Sequence, residues 1–112
     1  MERTFVYAKR FSKKWEDMGL TDKDLIPLEK YLSENPDAGD VIQGTGGLRK
    51  LRWAIPANKK GKSGGIRILY LNIIIHTKIY MLDLFPKSEK ENLTDAEKNV
   101  LKKLTTKLKG GN

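Results

Sequence analysis

The sequence predicts a small α+β fold, in which a helical hairpin and a C-terminal helix pack on an antiparallel sheet. Three observations support this. Apolar residues in the first third recur at helical spacing. The middle carries short runs rich in β-branched and aromatic residues between glycine-rich connections. A capped apolar stripe then closes the chain. The predicted order is β-α-α-β-β-β-α, in a single domain spanning residues 1–112. Single cores of about 100–150 residues are common, so no staple is needed.

Phe5, Val6 and Tyr7 suggest a short first strand. Phe11, Trp15 and Met18, spaced by four and three, form one helical stripe that Gly19 would end. Leu25, Leu28, Tyr31 and Leu32 mark the inner face of a second helix, which Thr21 or Asp24 can cap. Pro27 lacks an amide and belongs in a first turn, which favours Asp24. Asn35-Pro36-Asp37-Ala38-Gly39 has turn chemistry and closes the helical hairpin. Strands are then predicted over Leu48 to Ile55, Ile66 to about Ile74, and Lys78 to Phe85, the last two joined near His76-Thr77. Apolar side chains on both parities of Ile68-Leu69-Tyr70-Leu71 mark a strand buried on both faces. Thr94-Asp95-Ala96-Glu97 is a capping box, followed by the stripe Val100, Leu101, Leu104 and Leu108.

Charge is distributed unevenly over this plan. Val41 to Leu82 contains no acidic residue, yet holds Arg49, Lys50, Arg52, Lys59, Lys60, Lys62, Arg67 and Lys78. The chain has 22 basic and 14 acidic side chains, so the other 14 cations (22 minus 8) balance the acids and the excess of +8 lies in the sheet. Such concentration is the footprint of a surface that meets phosphates. The absence of cysteine excludes disulfides and thiolate metal sites and fits a reducing compartment. No secretory h-region follows Met1, and the apolar stretch Ile66 to Phe85 is too interrupted to span a membrane.

Lys50 and Arg52 are two apart and project from one face of their strand, with Leu51 and Trp53 on the other. Arg67 opens the next strand, and Lys87 and Lys90 follow the last. Singly, each is an ordinary solvated charge; as a set on one face, they point to an anionic partner. Lys59, Lys60 and Lys62 in the glycine-rich loop add long-range attraction. His76, the only histidine, falls at a turn away from this cluster and reads as an exposed turn residue. Ser63 and Ser88 have no neighbouring base, and no metal-ligand set or cofactor motif is present. Trp53, Tyr70, Tyr80 and Phe85 could stack bases, but core packing is the ordinary role.

Three stretches, Asp40-Val41-Ile42-Gln43-Gly44-Thr45-Gly46-Gly47-Leu48-Arg49-Lys50-Leu51-Arg52, Gly61-Lys62-Ser63-Gly64-Gly65-Ile66-Arg67-Ile68-Leu69-Tyr70, and Pro86-Lys87-Ser88-Glu89-Lys90-Glu91-Asn92-Leu93-Thr94, resemble the RelE superfamily of toxin–antitoxin toxins, most closely its HigB-like branch. The resemblance runs over essentially the whole chain. It implies a metal-independent, ribosome-dependent mRNA endonuclease that cuts codons in the A site and is masked by a cognate antitoxin. Lys50, Arg52, Arg67 and Lys87 match the family's catalytic cations. Arg49, Lys59, Lys60, Lys62 and Lys90 are the accompanying RNA-binding candidates. A further arginine and tyrosine of the RelE branch fall nearest Ser88 and Thr94, so those roles are absent or filled differently. The implied partners are the ribosome, mRNA and an antitoxin of helix-turn-helix type, with DNA reached only through the antitoxin, no membrane contact, and a cytoplasmic location. Two alternatives use the same fold or charge: a ParE-like gyrase poison, and a non-enzymatic RNA- or ribosome-binding module.

Overall fold

The computed structural model describes residues 3–55, 65–87, 89 and 92–110. Within them the chain forms β1 (Thr4–Tyr7), α1 (Lys9–Asp17), α2 (Asp22–Glu34), β2 (Asp40–Val41), β3 (Arg49–Trp53), β4 (Ile66–Ile73), β5 (Lys78–Pro86) and α3 (Asp95–Leu108). The strands make one sheet in the order β1-β5-β4-β3-β2. The α+β class is as the sequence predicts, with two additions. A two-residue strand, β2, pairs antiparallel with β3. β1 pairs parallel with β5, so the sheet is mixed rather than purely antiparallel. A short edge strand carries no signal for its direction of pairing, and this one is fixed by where α1 and α2 return the chain.

Alternation along β4 separates two cores. Ile66, Ile68 and Tyr70 join Leu51, Ile79, Met81 and Leu84 beneath α1 and α2, which contribute Phe11, Trp15, Leu28 and Leu32. Each such burial is worth about 1.5–3 kcal/mol, an upper range against a compact unfolded chain. Leu69, Leu71 and Ile73 point the other way and, with Leu48, Leu82 and Phe85, meet Leu93, Leu101 and Leu108 of the α3 segment. The helical hairpin and the terminal helix therefore cover opposite faces. β4, in the middle, is buried along nearly its whole length.

Capping departs from expectation at α2. Thr21, not Asp24, is the N-cap. The Asp24 carboxylate accepts from the Thr21 amide at 2.8 Å and from its hydroxyl at 3.1 Å. Satisfying these donors outweighs the one backbone bond that Pro27 forfeits by lying inside the helix. The α3 cap is as predicted: Glu97 accepts from the Thr94 amide at 2.9 Å, and Thr94 accepts from the Glu97 amide at 3.1 Å. Its predicted stripe is only half used, since Val100 and Leu104 remain exposed while Thr105 is fully buried. The Thr105 hydroxyl donates to the Thr45 carbonyl at 2.6 Å, docking α3 on the turn before β3. Gly46 makes this approach possible: its φ is +78°, and a Cβ there would lie 2.6 Å from the Thr105 hydroxyl oxygen.

Candidate active site

α3 covers only part of its sheet face. Beyond Leu69, toward the start of β4, the face opens into a cleft of about 550 Å³ lined by Ala38, Asp40, Lys50, Leu51, Arg52, Arg67 and Asn92. The register explains why the cations converge. Arg52 lies directly opposite Arg67, and Lys50 opposite Leu69, so all three basic side chains share one side of the β3–β4 ladder. Directly opposed residues have Cβ atoms about 4.5–5.5 Å apart. Like charges at that spacing repel, and a phosphate seated between them relieves the repulsion.

Burial differs sharply among the three. Arg52 is exposed and Lys50 half-buried, whereas Arg67 is only 3% exposed. The expectation of an exposed Arg67 on a sheet end is corrected. β4 is central, with Arg52 on one side of Arg67 and Phe85 paired on the other. Arg67 forms the floor of the cleft, and Arg52 and Lys50 form its wall.

The remaining predicted residues fall elsewhere. Lys87 is exposed just beyond β5, its amide bonded to the Gly65 carbonyl at 3.3 Å, and it does not line the cleft. Arg49 projects from the opposite side of β3, and its guanidinium serves the turn after α2. It donates to the Gly39 carbonyl at 2.7 Å and the Asp37 carbonyl at 3.2 Å, and pairs with the Asp37 carboxylate at 3.5 Å. The Arg49 guanidinium, expected among the RNA-binding cations, is thus engaged by the turn after α2. Lys59, Lys60, Lys62 and Lys90 lie outside the described residues, as do Ser63 and Ser88. His76 is exposed in the turn Ile74–His76 past the far end of β4. Eight residues of strand and turn separate it from Arg67, roughly 30 Å if extended. Of the aromatic candidates, Tyr70 and Phe85 are core, and Trp53 packs against Tyr31 with ring centroids 5.6 Å apart.

Asp40 carries no signal in the sequence, because it borders the acid-free window instead of interrupting it. It pairs directly with Lys50 across β2 and β3, so the cleft contains a carboxylate. Among the described residues, no cluster of three or more His, Asp or Glu is placed to hold a metal ion. Among the same residues, no helix is long and apolar enough to cross a membrane.

The sequence model of the family described as the RelE toxin of the RelE/RelB toxin–antitoxin system matches residues 3–111. The chain belongs to the RelE toxin family. Solved structures agree on the fold. A mutant of the E. coli toxin RelE in the free state, with two arginines replaced by alanine, superposes with a TM-score of 0.56 at 17% identity, covering 80% of this chain and 88% of that one. The intact E. coli RelBE toxin–antitoxin complex gives 0.52 at 19% identity, covering 80% of this chain and 99% of that one. As a RelE-family toxin, the chain has its cationic cleft on the sheet face that the terminal helix leaves open.

Proposed function

We propose that this RelE-family toxin is a HigB-like, ribosome-dependent mRNA endonuclease of the cytoplasm, neutralised by a cognate antitoxin. The observation that carries this reading is the Arg52–Arg67 cross-strand pair, with Lys50 beside it, in one cleft. In the reaction the 2′-hydroxyl attacks the adjacent phosphorus, giving a 2′,3′-cyclic phosphate and a 5′-hydroxyl. Arg67, held rigid at the floor, stabilises the charge that builds on the phosphorane, and a donor preorganised in this way is worth about 2.7–4 kcal/mol. Arg52, directly across the ladder, shares in holding that charge and Lys50 binds the phosphates, while Lys87, exposed just beyond β5, meets the backbone of the message. Alignment of the message by the ribosome lowers the barrier further, since orientation can supply roughly 7–11 kcal/mol. A cleft poor in acid–base groups then works best on its host. A partner antitoxin is supported by family membership, and an antitoxin of helix-turn-helix type would connect the toxin to DNA.

Primer extension on a translated message tests the proposal. Wild-type toxin should produce cuts within codons. Arg52→Ala should lower cleavage by about 10²–10³-fold at saturating ribosomes, the scale for loss of one charge-stabilising donor. Arg52 is exposed, so its removal should leave stability within about 0.5 kcal/mol. Intact messages accompanied by DNA breaks would refute this and favour gyrase poisoning. Ribosome binding without cuts would favour a non-enzymatic module.

A further inference from the structure

We propose that Asp40 is the general base of this cleft, taking the proton from the attacking 2′-hydroxyl; this rests on the RNA-cleaving reading above. Three observations converge on it. Lys50, Arg52 and Arg67 are donors in their protonated forms, and an arginine does not give up its proton in a protein. Among the described residues lining the cleft, Asp40 is the only one with an anionic oxygen. It stands directly across from Lys50, on the cationic side of the ladder.

The turn that presents Asp40 is held by buried bonds. The Tyr70 hydroxyl donates to the Pro36 carbonyl at 2.8 Å and accepts from the Gly39 amide at 2.9 Å. Arg49 grips the Asp37 and Gly39 carbonyls from the same side. Gly39 packs so closely that a Cβ there would lie 2.9 Å from both the Lys50 carbonyl oxygen and the Tyr70 ring. Tyr70, Arg49 and Gly39 thus fix the backbone one residue before Asp40. A base fixed in this way is positioned for the proton before substrate arrives.

The step balances without a further reactant. The 2′-hydroxyl proton passes to an Asp40 carboxylate oxygen, O2′ bonds to phosphorus, and the P–O5′ bond breaks. O5′ takes a proton from the Lys50 ammonium, and exchange with solvent restores both groups. The charged groups facing Asp40 are Lys50 and Arg52 of β3 and Arg67 of β4. On its own segment, Asp37 is paired with Arg49.

The test is single-turnover cleavage on programmed ribosomes at saturation for wild type, Asp40→Asn and Asp40→Glu. Asp40→Asn should slow cleavage by about 10²–10⁴-fold, the range for removing a positioned base, with ribosome affinity within about threefold of wild type. Asp40→Glu, which keeps a carboxylate in the cleft, should restore part of the rate. An asparagine variant that cuts at the wild-type rate, or a glutamate variant that cuts no faster than the asparagine one, overturns the role of Asp40 while leaving the nuclease reading intact. Wild-type toxin that leaves the message uncut overturns both.

Discussion

Tyr70→Phe isolates the anchor of the turn that closes the cleft. Tyr70 is fully buried, and phenylalanine keeps its ring and packing. What disappears is the hydroxyl and its two bonds, at 2.8 Å to the Pro36 carbonyl and 2.9 Å from the Gly39 amide. The Gly39 amide is buried, and stranding such a donor costs about 1–3 kcal/mol. The Pro36 carbonyl is half-buried and can turn toward water, so its loss adds about 0.5–1 kcal/mol. The sum is about 1.5–4 kcal/mol, equivalent to a drop in Tm of roughly 6–24 °C for a domain of this size. Urea denaturation reads it directly, with the midpoint falling and the m-value unchanged. Cleavage at a temperature where the variant remains folded should also fall, because the segment carrying Asp40 loosens. A stability loss below about 0.5 kcal/mol would show that water replaces both bonds, and Tyr70 would then not be the anchor.

Two further outcomes follow from other contacts. Gly46→Ala should destabilise by about 1–3 kcal/mol, because φ there is +78° and the new methyl would meet Thr105. A thermal melt unchanged by the substitution would mean that α3 is not seated through Thr105. Tyr7 is held above the usual phenol range by burial and by its hydrogen bond to the Glu29 carboxylate and the charges of Glu29 and Asp22. Tyr70 is raised by burial, partly offset by the Gly39 amide and the Arg49 charge. Unfolded phenols ionise near about pH 10 while these two keep their protons, so stability should be level below about pH 10 and decline above it. A urea midpoint constant from about pH 8 to about pH 11 would refute that linkage.

The fold was legible where periodicity was long. The stripe Phe11/Trp15, the alternation through β4 and the capping box at Thr94 each depend on a pattern of several residues, and each marks a real element. β2 was not legible, because two residues have no period. The parallel pairing of β1 was hidden for a related reason, since direction is set by the path of the intervening helices. Val100 and Leu104 fit the α3 stripe but stay exposed. The turn before β3 meets the helix at Thr105 instead, and a polar residue in a stripe gives no sign that it will be buried.

The cationic side chains of the site were legible as charge, but their roles depended on pairing. Counting along the chain placed Arg49 with Lys50 and Arg52, yet alternation turns it to the far side of the strand, where it holds the segment bearing Asp40. The same count excluded carboxylates from the window, while the β2–β3 register brings Asp40 opposite Lys50 from just outside it. Arg67 shows the largest change. A cation after a lysine-rich loop reads as exposed, but a residue in the central strand is shielded by both neighbours, here Arg52 and Phe85. That shielding suits the proposed chemistry. A guanidinium fixed in a cleft floor need not reorganise as charge builds on phosphorus, so it stabilises a phosphorane better than a solvated surface cation can. It also makes Arg67→Ala a poor probe, since removing a buried side chain alters packing and charge together. Arg52, across the ladder and open to solvent, reports on charge alone.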